Sequence, residues 1–84
     1  MKLEEALDII SDKYPDFNIL SVVDYDNFYV FSIVPKSHNT NQDGTWFGGL
    51  IAVDKVKKIT LNFNPLLHDP SAYAKAVNDT IKWI

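Results

Sequence analysis

The chain has 84 residues, no cysteine and a formal net charge of −3 at pH 7. This length predicts a single domain over residues 1–84, with one thin core rather than a deep active-site cavity. The lack of cysteine excludes disulfides, thiolate metal sites and cysteine nucleophiles from this chain. The negative charge disfavours a general nucleic-acid binder, because such proteins gain most of their affinity from basic side chains on phosphates.

The N-terminal residues 1–5, MKLEE, carry acids where a signal peptide would carry an apolar run. The longest apolar runs of the chain are far shorter than a bilayer span. We therefore expect a soluble, cytoplasmic protein that does not associate with a membrane.

Apolar residues at helical spacing predict a first helix running roughly from residue 2 to 13. Glu4 and Glu5 lie in its first turn and Lys13 in its last, each at the end of the helix dipole that favours its charge. Pro15 stops the helix at or before Tyr14. The predicted apolar stripe consists of Leu3, Ala6, Leu7, Ile10 and Tyr14.

Residues 17–34 are rich in β-branched and aromatic side chains, and an Asp/Asn-rich break at 24–27 divides them. This pattern predicts two strands joined by a tight turn. In the second strand both faces are largely apolar, so one face must meet the helices. The other face is either covered by a partner or forms an exposed aromatic surface. The two faces are Phe28, Val30, Ser32 and Val34 on one side, and Tyr29, Phe31 and Ile33 on the other.

Residues 35–45 are polar and include Asn, Asp and Gly, which favour turns. A connection of this length is long for a hairpin, and long loops are often functional or mobile. Both interpretations of this loop, a mobile tip and a functional segment, stay open.

Residues 46–61, WFGGLIAVDKVKKITL, predict a central β-hairpin that turns at Asp54–Lys58. The pair Gly48–Gly49 within the first of these strands suggests a bulge or a close approach of another backbone. Phe47, Ile51 and Val53 are expected on one face of the strand, directed at the apolar stripes of the two helices.

A closing helix is predicted to begin at Asp69–Pro70, because Asp caps free backbone amides and Pro fits the first helical position. Its apolar residues recur at helical spacing as far as the last residue, and Trp83 lies off that stripe. Trp83 either wraps the helix end onto the sheet or marks a contact surface. The stripe consists of Tyr73, Ala76, Val77, Thr80, Ile81 and Ile84.

Together these elements predict an α+β fold with the order α-β-β-β-β-α and an antiparallel meander sheet, since consecutive strands usually pair. We expect a two-layer sandwich in which both helices pack on one face of the sheet. One helix on each face is the alternative.

The sequence favours no catalytic, metal or cofactor residues. His38 and His68 would need to meet a carboxylate such as Asp43 or Asp69 to bind a metal, and a solvated His38 and a structural His68 explain them better. Ser37 and His38 are adjacent in the chain and lack the surroundings of a nucleophile elbow. The paired acids Glu4/Glu5 and Asp24/Asp26 fit a helix start and a turn, where water keeps carboxyl pKa values ordinary.

Aromatic residues are the better candidates for function, because aromatic side chains presented on a surface can anchor a protein partner. The predicted partner-contact residues are Tyr25, Tyr29, Phe31, Trp46 and Trp83. The alternative is that most of them belong to the core.

The runs DYDNFYVFSIVPK, FGGLIAVDKVKKI and FNP, with the N-terminal EAL and KYP, resemble short uncharacterised proteins encoded in phages and prophages of Gram-positive bacteria. The resemblance covers nearly the whole chain but concerns residues that determine the fold, and it brings no catalytic residues. Val56–Lys57 stands where such turns commonly have Thr–Gly. The hairpin is also similar, more weakly, to that of small bacterial toxin-immunity proteins.

The resemblance implies a non-catalytic phage or prophage accessory protein in the host-cell cytoplasm that acts by binding another protein or itself. The surplus apolar surface of so short a chain supports the same expectation. The alternative is an immunity or inhibitor module that binds a toxin or enzyme.

Overall fold

The computed structural model describes residues 1–36 and 49–84. The prediction of an α+β fold with helices at both ends of an antiparallel meander is confirmed, and a short fifth strand joins the sheet in the order β4-β3-β2-β1-β5. The elements in chain order are α1 (Leu3–Lys13), β1 (Phe17–Tyr25), β2 (Phe28–Pro35), β3 (Gly49–Asp54), β4 (Thr60–Asn62), a 3-10 turn (Pro65–Leu67), α2 (Pro70–Thr80) and β5 (Lys82–Trp83).

One face of the sheet packs against α1. Ala6 and Ile10 of the helix are buried, as the apolar stripe predicts, and Leu3, Leu7 and Tyr14 pack beside them. The sheet side of this core consists of Val22, Phe31, Ile33, Ile51 and Val53.

The opposite face packs against α2. Val23, Val30 and Ala52 are buried there together with Phe63, which follows β4. Tyr73, Ala76, Val77 and Ile81, at the predicted helical spacing, cover this second core.

The expectation that both helices share one face is therefore wrong, and the alternative of one helix on each face is correct. The reason is the alternation of β2 and β3, which carry large apolar side chains on both faces. Two thin cores need two covers, and each helix supplies one. Ile51 and Val53 accordingly meet Ile10 but not Val77 and Ile81.

A β-bulge shapes β1. Ile19 pairs with Ile33 and Ser21 with Ser32, so Leu20 has no partner on β2. The bulge expected at Gly48–Gly49 is not at Gly49, which pairs regularly with Ile33. A Cβ atom at Gly49 would meet no atom of residues 1–36 or 49–84 within 4 Å, so no backbone in those ranges approaches it closely. Gly48, Phe47 and most of the 35–45 loop lie outside the described residues.

The closing helix begins as predicted but ends earlier. The Asp69 carboxylate accepts hydrogen bonds from the backbone N–H groups of Ser71 and Ala72, both at 3.1 Å, and Pro70 is the first helical residue. The helix then stops at Thr80, and Lys82 and Trp83 pair with Val22 and Ser21 of β1. The predicted continuation to Ile84 is wrong, because pairing with β1 gives these residues extended backbone instead.

The Thr80 hydroxyl links the end of α2 to β1, at the point where the chain changes from helix to strand. It donates to the carbonyl of Ala76 at 2.7 Å and accepts from the backbone N–H of Asp24 at 3.0 Å. The side chain thus satisfies a backbone carbonyl in the last turn of α2. It also satisfies a backbone N–H on the edge of β1, beyond the residues that pair with β5.

Two turns close the hairpins at the same end of the sheet. Asp26, in the β1–β2 turn, has φ 52°, which Asp tolerates better than most residues. In the β3–β4 turn the Asp54 carboxylate accepts from the backbone N–H groups of Val56 and Lys57, both at 2.8 Å. Lys55 joins the two turns, since its backbone N–H donates to the carbonyl of Asn27 at 2.8 Å.

Candidate protein-contact surface

The structure does not gather the predicted contact residues on one surface. Phe31 is fully buried between the sheet and α1, so in this fold it supports the core and cannot touch a partner. Trp46 lies outside the described residues. Trp83 is 76% exposed on β5, at one edge of the sheet.

The two tyrosines lie on opposite faces and are both half-buried. Tyr29 packs on the α1 side, its hydroxyl donates to the carbonyl of Met1 at 3.4 Å, and the Lys55 ammonium lies 4.6 Å from the centre of its ring. Lys55 also contacts the carboxylate of Asp24. Tyr29 is therefore held among groups of its own chain.

Tyr25 belongs to an aromatic cluster on the α2 side. Its ring centre lies 5.7 Å from that of Phe63 and 5.5 Å from that of Tyr73, in edge-to-face arrangements. His68 stacks on Phe63 with 4.6 Å between ring centres and 7° between planes. Burial in this cluster raises the pKa of the Tyr73 hydroxyl. The aromatic cluster, completed by Phe28, fixes the segment between β4 and α2.

That segment presents Leu66 and Leu67, which are 79% and 80% exposed. The turn that carries them is well hydrogen-bonded: the Asn64 side chain accepts from the N–H of Leu66 at 3.0 Å, and the Asn64 carbonyl accepts from the N–H of Leu67 at 3.0 Å. We call Leu66 and Leu67 the leucine pair. Because the turn is ordered, a partner would meet two apolar side chains already held in place.

A second exposed apolar group lies at the β5 edge, which we define as Leu20, Lys82, Trp83 and Ile84. Leu20 is 37% exposed, Trp83 76% and Ile84 61%. On the α1 side this edge borders a recess of about 370 Å³ whose floor includes Leu3, Val22 and Ile81. The edge therefore combines exposed apolar side chains with a place to receive one.

The outer face of α1 carries an acidic stripe. Glu4, Asp8 and Asp12 are spaced four residues apart and are all exposed. Among the described residues the ion pairs are Lys55–Asp24 and Lys58–Glu5, and neither includes a member of the stripe. Like charges at this spacing destabilise a helix, and Asp12 also opposes the dipole in the last turn.

Within residues 1–36 and 49–84, no three His, Asp or Glu side chains are grouped to hold a metal ion. His68 is engaged by aromatic rings, and His38 and Asp43 lie outside the described ranges. Asp24 contacts Lys55 near a turn, and Glu5 pairs with Lys58 at 3.1 Å, so these acids have structural partners.

The leucine pair is the surface feature that the sequence analysis missed. The available signal was a short segment with two adjacent leucines between Asn64–Pro65 and Asp69–Pro70. This segment connects β4 to α2, and both of its leucines remain exposed.

Comparison with protein families, with curated proteins and with solved structures finds no match to this chain. Neither α-helix of the described ranges has the length and apolar character needed to cross a membrane.

Proposed function

We propose that this protein is a non-catalytic accessory protein, of the kind encoded by phages and prophages, that acts in the host-cell cytoplasm by binding another protein or a second copy of itself. The observation that carries the proposal is the leucine pair, two large apolar side chains about four-fifths exposed on an ordered turn. Adjacent apolar side chains exposed at a surface can anchor a protein partner.

An apolar second face of the sheet was the expected contact surface, but α2 covers that face. The exposed apolar groups of the described residues are instead at the 3-10 turn, at the β5 edge and, with Val56 and Ile59, around the β3–β4 turn. Contact through protruding side chains, rather than through a flat sheet, is the mode that this arrangement favours.

Site-specific photo-crosslinking tests the proposal. A photoreactive amino acid is placed at Leu67, at Trp83 and, as a control, at Lys75, which is exposed on α2. We expect a discrete covalent adduct from position 67 or 83 in cells that carry the gene, and none from position 75. The adduct from position 67 is expected to disappear when Leu66→Asp is added. Equal labelling at all three positions, or no adduct at any, would contradict the proposal.

The acidic stripe favours a second candidate, an immunity or inhibitor module. A helix that keeps Glu4, Asp8 and Asp12 in one exposed row carries a local electrostatic cost, which binding to a basic surface would offset. Nucleases and other toxins that bind nucleic acid present such surfaces. If this candidate is correct, Asp8→Lys weakens capture of the partner at least tenfold while Leu66→Asp leaves it unchanged.

A further inference from the structure

Within the part of the chain that the structure describes, β5 is the last strand of the sheet and no strand pairs with its outer side. The N–H of Ile84 donates to the carbonyl of Leu20 at 2.9 Å, so the backbone groups of Ile84 and of Lys82, two residues away, point to β1. Alternation along a strand then directs the N–H and C=O of Trp83 away from β1. An edge of this kind is a template for a further strand.

The side chains of this edge divide between the two faces of the sheet. Lys82 lies opposite Val22, a member of the core beneath α1, and continued alternation places Ile84, which follows β5, on the same face. Trp83 lies opposite Ser21 on the α2 face. The α1 face of this edge therefore carries the aliphatic side chain of Ile84, and the α2 face carries the indole of Trp83.

We propose that a second copy of this chain occupies the β5 edge, with the two β5 strands antiparallel about a two-fold axis that passes beside Trp83. The inference rests on the proposed function and names the partner for this edge. In this register the Trp83 N–H of each copy donates to the Trp83 carbonyl of the other. A single pair of residues thus satisfies both free backbone groups on both sides, as a two-fold interface requires.

The same register also matches the side chains. The two Trp83 side chains lie beside each other on the α2 face, because directly opposed residues share a face. On the α1 face, Ile84 of the second copy lies opposite Lys82, at the rim of the recess of about 370 Å³ that Lys82 borders. Each copy both supplies an isoleucine and provides a recess, and the two lysines are not opposed to each other.

A second copy fits this edge better than an extended segment of another protein. The available edge is short, since β5 consists of Lys82 and Trp83 alone. A single donor–acceptor pair suits a two-fold axis, whereas a long added strand would need several. Lys82 has the only charged side chain among residues 82–84, so self-pairing places no two charged side chains opposite each other.

Cysteine crosslinking tests the register directly, because the chain has no cysteine of its own. The register places residue 82 opposite residue 84 of the other copy, at a separation that a disulfide spans. The double variant Lys82→Cys/Ile84→Cys, which retains Trp83, is expected to form a covalent dimer on mild oxidation. Each single variant is expected to stay monomeric on a non-reducing gel. Equal crosslinking of the single and double variants would overturn this register.

Light scattering coupled to size exclusion tests the association itself. We expect the unmodified chain to show the mass of a dimer at high concentration, and Trp83→Asp to show only the monomer mass. Val56→Asp is the matched control, because Val56 is also 76% exposed but lies in the β3–β4 turn, on the opposite side of the sheet from β5, and it is expected to keep the dimer. Retention of the monomer circular dichroism spectrum by Trp83→Asp shows that folding is intact.

The two proposals fail separately. A monomer at every concentration overturns the dimer, and a photo-crosslinked adduct with another protein still supports binding as the function. An adduct at position 83 with a different protein, together with a monomer mass, would assign the β5 edge to that protein instead. A monomer that forms no adduct at any position overturns both.

Discussion

The Asp54 carboxyl makes the stability of the β3–β4 turn depend on pH. Hydrogen bonds from the backbone N–H groups of Lys57 and Val56 hold the pKa of the Asp54 carboxyl below its usual value of 3.8. The charged form is favoured in the folded state, so the stabilisation is complete above the unfolded pKa. It is lost as the pH falls through the lowered folded pKa.

We therefore predict that Asp54→Asn, which keeps an acceptor but does not titrate, flattens the acid limb of the stability curve. The free energy of unfolding of the unmodified chain should fall more steeply than that of the variant below about pH 4, which is close to the ordinary pKa of an aspartate carboxyl. Urea denaturation at a series of pH values measures both. Parallel curves for the two proteins would show that the turn does not depend on the Asp54 charge.

At the scale of an element, α1 carries charges that work against it. Asp8 lies one turn from both Glu4 and Asp12 on the exposed face, and such pairs cost a few tenths of a kcal/mol each. We predict that Asp8→Lys raises the free energy of unfolding by about 0.5 to 1 kcal/mol, because two repulsions become attractions.

The gain from Asp8→Lys should shrink at high salt, because the groups are exposed and screened. Asp8→Asn is the matched control and should give about half the gain, since it removes the repulsions without adding attractions. Thermal melts at low and high ionic strength provide the comparison. A loss of stability in Asp8→Lys would mean that Asp8 has a favourable partner in solution.

Elements differ in how far local sequence determines them. Helix α1 is predictable because its stripe, its first-turn acids and Pro15 agree, and the start of α2 is predictable because Asp69 and Pro70 act locally. The end of α2 is not, since Ile81 and Ile84 keep helical spacing and no Gly or Pro stops the helix. Pairing of Lys82 and Trp83 with a strand sixty residues earlier decides that end.

The residues of the candidate contact surface differ in the same way: some are predictable from local sequence, and others depend on non-local pairing. Trp83 could be named from sequence as an aromatic residue off the helical stripe, but its place on a sheet edge depends on the non-local pairing. Phe31 could not be separated from surface aromatics, because β2 is apolar on both faces. The strand pattern shows that two covers are needed but does not say which helix covers which face.

At the scale of the whole molecule, stability depends on two thin cores that share one sheet. Phe31 is the largest fully buried side chain among the described residues and contributes to the core beneath α1. We predict that Phe31→Ala costs about 3 to 5 kcal/mol, the usual cost of removing a buried ring. A domain of this size has a total stability of about 4 to 12 kcal/mol, so the variant should be largely unfolded or close to it.

Trp83→Ala is the control for Phe31→Ala, since an exposed side chain of similar size should change the free energy of unfolding of the monomer by less than about 0.5 kcal/mol. Denaturation followed by far-UV circular dichroism at low concentration, where any dimer dissociates, gives both values. If Phe31→Ala unfolds only the α1 side and leaves the α2 side protected from hydrogen exchange, the two cores do not unfold as one cooperative unit.

Because Leu20 has no partner on β2, it also affects which one-residue deletions in β1 the fold can tolerate. Phe17, Ile19 and Val22 all face α1. In a regular strand, residues on one face are an even number of positions apart, which holds for Phe17 and Ile19 but not for Ile19 and Val22. Loss of codon 20 would restore regular alternation and leave these residues on their present sides. Loss of codon 23 would instead move Tyr25 to the α1 side, away from Phe63 and Tyr73. A one-residue deletion is thus tolerable at one position of this strand and disruptive three positions later.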